Sequence, residues 1–241
     1  MIQGILFDKD GTLLRFEELW LDAARHVIYD FCRLNRLPEN KKVETLILKA
    51  MGVENETIRQ DGALAYMTYE QIGAVVVTAL HQAGMAEKIS TELAGRQMSV
   101  LFETVLAREQ LACIPTCDLK NLFKTLKARD IKTGLATADN LPVTEKCLKQ
   151  LEIMEEFDFV GCDDGILKPK PEPDMFEAFC KKQGLKPEKV AVIGDTVNDM
   201  LFAKKCKGIA VGTLSGIASR EELEEAADII VETPFGILEY L

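Results

Sequence analysis

The apolar positions of this chain change their period along its length. Ile5-Leu6-Phe7 is a short unbroken apolar run, the pattern of a strand buried on both faces of a parallel sheet. Helical spacing then takes over, with Leu19, Trp20, Ala23, Ala24, Val27, Ile28 and Phe31 on one stripe and Val43, Leu46, Ile47 and Ala50 on another. Thr68 with Gln71 makes a capping-box pattern before a third stripe of Ile72, Val75, Val76, Ala79 and Leu80. A fourth helical stretch covers residues 90–107, and the four read as one bundle.

From about Pro115 short apolar runs alternate with amphipathic segments, as in the β-α units of a parallel sheet. Strands are expected at residues 131–136, 157–160, 190–194 and 208–211, with another at 229–231. Helices are expected at 119–128, 143–151, 173–183 and 199–205, with Pro173 suited to a first turn. The fold class is therefore α/β: a Rossmann-like parallel sheet core with helices on both faces, plus an inserted α-helical domain. The expected division is 1–15 with 113–241 for the core and 16–112 for the helical insertion.

Composition narrows the function classes. An apolar share of 47% supplies a buried core, and a mean hydropathy of +0.01 describes a soluble globular chain. No apolar stretch reaches the roughly 18 residues that a membrane span needs. The first residues lack the basic-then-apolar pattern of a secretory signal, so a cytoplasmic location is expected. A net charge of −10 disfavours nucleic acid and anionic membrane as partners. Seven cysteines without a Cys-x-x-Cys pair argue against a disulfide framework or a zinc site. The only histidines, His26 and His81, lie in helical patterns, which disfavours a histidine-based triad.

Chemistry concentrates at the expected strand ends, where ligands bind in open α/β sheets. Asp8 and Asp10 follow the first strand, and residues i and i+2 of an extended segment face one side. Gly11 then allows a sharp turn. Other strand ends deliver Thr137-Ala138-Asp139, the loop Lys168-Pro169-Lys170-Pro171-Glu172-Pro173, and Asp195-Thr196-Val197-Asn198-Asp199. Singly, Thr137 is an ordinary strand-end hydroxyl, Lys168 a loop lysine and Asp199 a first-turn helix acid. Together, Asp8, Asp10, Asp195 and Asp199 would repel one another unless a divalent cation sits among them. An all-oxygen set suits Mg²⁺ better than zinc.

In Asp8-Lys9-Asp10-Gly11-Thr12, Thr137, Lys168 and Gly194-Asp195 through Asp199, taken in that order, the chain resembles the haloacid dehalogenase-like hydrolase superfamily over nearly its whole length. The resemblance implies Asp8 as nucleophile, Asp10 as acid and base, Thr137 as a phosphoryl ligand and Lys168 as the neutralising cation. It implies Mg²⁺ on Asp8, the Asp10 backbone carbonyl and Asp195, with Asp199 in support. Lys170 competes for the lysine role, but the family's Lys-Pro-x-Pro-acid surrounding favours Lys168.

Asp10 separates the chain from transport ATPases, which resemble Asp-Lys-Thr-Gly-Thr here, and from phosphonatases and carbon-halogen dehalogenases, which lack the second aspartate. Sugar phosphomutases of this type usually carry a histidine about ten residues further on, where this chain reads Glu18-Leu19-Trp20-Leu21. The insertion resembles the helical cap of phosphoglycolate phosphatase-like members. Its hinges would fall near Arg15-Phe16 and Ile114-Pro115, and the turn Met51-Gly52-Val53-Glu54-Asn55 resembles their specificity loop. The expected activity is Mg²⁺-dependent hydrolysis of a small phosphate monoester, such as phosphoglycolate or a sugar phosphate, through an aspartyl phosphate. Arg15 and Arg59 could face a substrate carboxylate. The alternatives are a phosphomutase of the same superfamily or a catalytically silent phosphate-binding protein.

Overall fold

The computed structural model describes residues 1–59, 61–107 and 110–241. In chain order its elements are β1 (Gly4–Phe7), α1 (Phe16–Leu34), α2 (Lys41–Ala50), β2 (Val53–Glu54), β3 (Thr57–Ile58), α3 (Ala63–Tyr66), α4 (Tyr69–Gln82) and α5 (Thr91–Leu106). There follow α6 (Leu119–Ala128), β4 (Lys132–Ala136), α7 (Leu141–Gln150), β5 (Phe159–Gly161), α8 (Asp174–Gln183), β6 (Val190–Gly194), α9 (Val197–Lys205), β7 (Ile209–Thr213), α10 (Arg220–Glu224) and β8 (Ile229–Val231). Two compact units result, Met1–Phe16 with Cys113–Leu241, and Glu17–Ala112.

The first unit carries a parallel sheet in the order β5-β4-β1-β6-β7-β8, flanked by helices. Every residue of β1 is buried, because helices cover both faces of the sheet. On one face Leu6 joins Phe176 and Phe179 of α8 and Phe202 of α9. On the other, the Phe7 ring lies 5.5 Å from that of Phe123 in α6 and 6.4 Å from Phe157. Burying a side chain of this size contributes about 1.5–3 kcal/mol.

The chain leaves β1 for β4 and β5 on one side, then returns to β1's other side with β6. The order therefore reverses beside β1, the switch point at which open α/β sheets form their clefts. Phe7 is in register with both Leu135 and Ile193. The residues just beyond the three central strands thus lie at one level. Near the unit boundary, Leu14 bridges Pro115 in antiparallel fashion and the Arg15 N–H donates to the Ile114 carbonyl at 2.8 Å.

In the Glu17–Ala112 unit, Thr68 caps α4 by accepting from the Gln71 N–H, while the Gln71 side chain accepts from the Thr68 N–H. Trp20, Tyr69 and Phe102 form its aromatic centre, the last two stacked at 4.6 Å. The segment expected to be a simple turn at residues 51–55 is instead the start of the hairpin β2–β3, whose turn residues Asn55 and Glu56 both have positive φ. Such turns usually advertise themselves by glycine at the second position. Glu56 stands there and its carboxylate pairs with Arg25, so the sequence carries no glycine signal.

Three strand expectations shift. β4 starts at Lys132 rather than at 131. The strand expected at 157–160 runs Phe159–Gly161, because Phe157 belongs to the Phe7–Phe123 cluster with its ring 5.0 Å from Phe123. β7 extends to Thr213 rather than stopping at 211. Among the described residues no helix is long and apolar enough to cross a membrane.

Candidate active site

Asp8 leaves β1 with its N–H bonded to the Ile193 carbonyl at 2.8 Å, which holds it against the end of β6. Asp195 follows β6 directly, and Asp199 lies in the first turn of α9. Carboxylate oxygens of Asp8, Asp195 and Asp199 lie within 4.8 Å of one another, and all three residues are buried.

Asp195 occupies a slot with glycine on two sides. Gly11 has φ +75°, and a Cβ there would stand 2.2 Å from the Asp195 carboxylate; a Cβ on Gly216 would stand 2.0 Å from it. The Ile217 N–H donates to Asp195 Oδ2 at 3.0 Å, and Ser215 Oγ donates to the Gly11 carbonyl at 2.8 Å. The loop after β7 therefore closes over the first turn of the chain and fixes Asp195 between them.

Asp199 serves both helix and site. Its Oδ2 accepts from the Thr196 N–H at 3.2 Å and the Thr196 hydroxyl at 2.5 Å, completing a capping box for α9. Its Oδ1 accepts from Lys170 Nζ at 2.6 Å, and the same ammonium donates to Asp8 Oδ1 at 2.5 Å. The expectation for Lys168 is corrected here: Lys168 is exposed on the loop, and the lysine at the carboxylates is Lys170. The Lys-Pro-x-Pro-acid pattern occurs twice in overlapping frames. The second, Lys170-Pro171-Glu172-Pro173-Asp174, leads straight into α8.

Asp10 turns its carboxylate to Lys9. Lys9 Nζ lies 2.9 Å from each Asp10 oxygen and 2.8 Å from Asp139 Oδ2, with no exposed surface. Burial works against its charge, but Asp10 and Asp139 outweigh that cost and raise its pKa well above the usual lysine value. Thr137 is buried at the end of β4, and its hydroxyl accepts from the Asp139 N–H at 3.2 Å. Arg15 is exposed beside the Leu14–Pro115 bridge. Arg59 is held on its own hairpin, 2.9 Å from Asp61 and 3.5 Å from Glu54.

The site is electrostatically incomplete. Burial raises the Asp8 pKa to about 7, with Asp199 and Asp10 adding to the rise and Lys170 opposing it. Asp195 is pushed well above the usual carboxylate range by burial and then by Asp8 and Asp199. Three buried carboxylates share one ammonium, and a hard divalent cation fits that oxygen-only set.

Sequence reasoning passed over Lys9, and over Ser215, Gly216 and Ile217 behind Asp195. For Lys9 a signal was available, since a lysine inside a buried strand end requires an acidic partner. The Ser215-Gly216-Ile217 segment offers only a short turn-like sequence.

A buried acidic cluster at the switch point of a parallel sheet is the ligand site of an open α/β fold. The sequence pattern of the haloacid dehalogenase-like hydrolases matches residues 2–207, and the chain belongs to that family. A phosphoglycolate phosphatase from Shigella boydii serotype 4 (strain Sb227) is 24% identical over 236 residues, 96% of this chain and 89% of its own. A hydrolase of subfamily IA, variant 1, from Geobacter sulfurreducens PCA has the same fold, with a TM-score of 0.67 at 16% identity over 100% of this chain and 96% of that one. A CbbY variant from Rhodobacter sphaeroides in complex with xylulose-(1,5)bisphosphate superimposes with a TM-score of 0.59 at 20% identity, covering 97% and 95% of the two chains.

Proposed function

We propose that this hydrolase is a Mg²⁺-dependent phosphatase that cleaves a small phosphate monoester through a phosphoaspartate on Asp8. The observation that carries this reading is the bridge of Lys170 between Asp8 and Asp199, beside Asp195, at the switch point of the sheet. It gives one carboxylate a cation on its flank and acidic neighbours suited to a second.

Asp8, Asp195 and Asp199, with the Asp10 backbone carbonyl, would hold the metal; when bound it supplies positive charge against the phosphoryl oxygens and the aspartates. Without such charge Asp8 is half-protonated near pH 7 and a poor nucleophile. In the first step an Asp8 oxygen bonds to phosphorus as the bond to the ester oxygen breaks. Asp10 passes its proton to that leaving oxygen, which departs as an alcohol. In the second, water attacks the same phosphorus, Asp10 takes a proton from it, and Asp8 is released with inorganic phosphate. Lys170 neutralises charge on Asp8 and the phosphoryl group through both steps, and Thr137 donates its hydroxyl hydrogen to a phosphoryl oxygen.

Substrate choice we assign to the helical unit, acting as a cap that admits small molecules. The names of the relatives direct the search toward phosphoglycolate and sugar phosphates. Arg15 and Arg59 are the cations to test against a substrate carboxylate, and Arg59 would first have to leave Asp61 and Glu54.

The test is release of phosphate from p-nitrophenyl phosphate, followed by a panel of small phosphomonoesters including 2-phosphoglycolate. Hydrolysis that requires Mg²⁺, stops with EDTA and is lost in Asp8→Asn supports the reading. A folded, Mg²⁺-loaded protein with no activity across the panel overturns it in favour of a binding role.

A further inference from the structure

Resting on the reading of Asp10 as proton donor, we propose that Lys9 is a positioning residue which, anchored by Asp139, clamps the Asp10 carboxylate in one orientation.

Lys9 lies two residues past the end of β1, in the bend that leads to Gly11. There it is wholly enclosed, in a unit whose comparable positions are filled by phenylalanine and leucine. Its ammonium contacts both oxygens of Asp10 at 2.9 Å, so rotation of that carboxylate would break a contact. The second partner, Asp139, is itself fixed: its N–H donates to Thr137 Oγ1 at 3.2 Å, and its carbonyl accepts from the Asp163 N–H at 2.9 Å. Asn140, the next residue, caps α7. The anchor is thus tied to the end of β4 and to the start of α7, two rigid parts of the core.

Stability alone does not account for the arrangement. Replacing a buried ion network by apolar groups of similar volume is often neutral or stabilising, because desolvation offsets the attraction. What such a network supplies is direction. Acid–base groups need placement within about 0.5 Å, and a misplacement of about 1 Å can cost roughly 100-fold in rate. Lys9 gives Asp10 that placement without touching substrate.

The experiment compares wild type with Lys9→Met and with Lys9→Met/Asp139→Asn. Lys9→Met leaves both Asp10 and Asp139 without a counter-ion, whereas the double variant leaves only the partly exposed Asp10, so its melting temperature is expected closer to that of wild type than the single variant's. Its kcat on p-nitrophenyl phosphate is expected to fall about 10- to 100-fold, with KM within about twofold. In crystals of the Mg²⁺-bound double variant, Asp10 is expected in a different or multiple side-chain orientation, while wild type keeps the one seen here. A stable double variant with wild-type kcat, or one whose Asp10 keeps the wild-type orientation, overturns the clamp. If wild type hydrolyses no phosphate ester, the phosphatase reading falls, and the crystallographic comparison still decides the clamp.

Discussion

Lys170 Nζ lies 2.5 Å from Asp8 Oδ1, a contact spanning 162 residues of sequence and made across the edge of the sheet. The ammonium is almost enclosed, with 12% of its side chain exposed, and Asp199 holds it from the other side at 2.6 Å. Burial disfavours the charge, yet Asp199 and Asp8 together raise the Lys170 pKa above the usual lysine value. The lysine stays charged throughout the physiological range and acts as a fixed cation.

Removing that cation should be severe, whereas removing its neighbour two residues earlier should not. Lys170→Met is expected to lower kcat by roughly 100- to 1,000-fold, the usual loss for one charge-stabilising group. Lys168→Met, on an exposed side chain, should stay within about threefold of wild type. Steady-state kinetics on p-nitrophenyl phosphate with saturating Mg²⁺ distinguish the two, and the reverse ranking would return the role to Lys168.

Gly216 supplies a second test. A methyl group there would meet the Asp195 carboxylate at 2.0 Å, so Gly216→Ala must displace the carboxylate or the loop. Asp195 is expected to lose its bond from the Ile217 N–H, and the Mg²⁺ concentration for half-maximal activity should rise at least about tenfold. A Mg²⁺ titration of activity in wild type and variant checks this. An unchanged midpoint would show that the loop adapts without moving Asp195.

How far the sequence disclosed these parts depended on whether a local pattern carried them. The bounds of α6 and β6 match the expected 119–128 and 190–194, because amphipathic period and an unbroken apolar run are local signals. The capping box of α4 was readable for the same reason. The convergence of Asp8, Asp195 and Asp199 could be anticipated from strand ends, since parallel strands deliver their carboxyl ends to one edge. The lysine was harder, as two overlapping frames offer the same motif and only the path of the loop into α8 chooses between them. The partners of Lys9, and the closing of Ser215 and Gly216 over Gly11 and Asp195, are long-range contacts with no periodic trace.

Asp10→Asn isolates proton transfer from metal binding. Asparagine keeps the backbone carbonyl but cannot deliver or accept the proton, so kcat should drop by about 100- to 10,000-fold. The Mg²⁺ midpoint should move little, because the carboxylates of Asp8, Asp195 and Asp199 are untouched. Parallel measurement of turnover and Mg²⁺ dependence tests both halves; retained turnover would remove Asp10 from the mechanism.

The raised pKa of Asp8 predicts how metal-free protein responds to pH. In the folded chain the carboxyl titrates at about 7, against roughly 3.9 in an unfolded chain. A raised folded pKa contributes stability that is fully present below about pH 4 and is lost as pH climbs through about 7. The informative quantity is the difference from Asp8→Asn, which cannot ionise there. In EDTA the variant is expected to melt above wild type at pH 8, with the gap shrinking as pH falls toward 4. Adding Mg²⁺ at pH 8 should raise wild type more than the variant, because cation binding to the native state adds stability that grows with metal concentration. Calorimetric melts at four or five pH values, with and without Mg²⁺, make the comparison. Curves that run parallel across that range would mean that Asp8 is ionised without a metal and that Lys170 alone balances it.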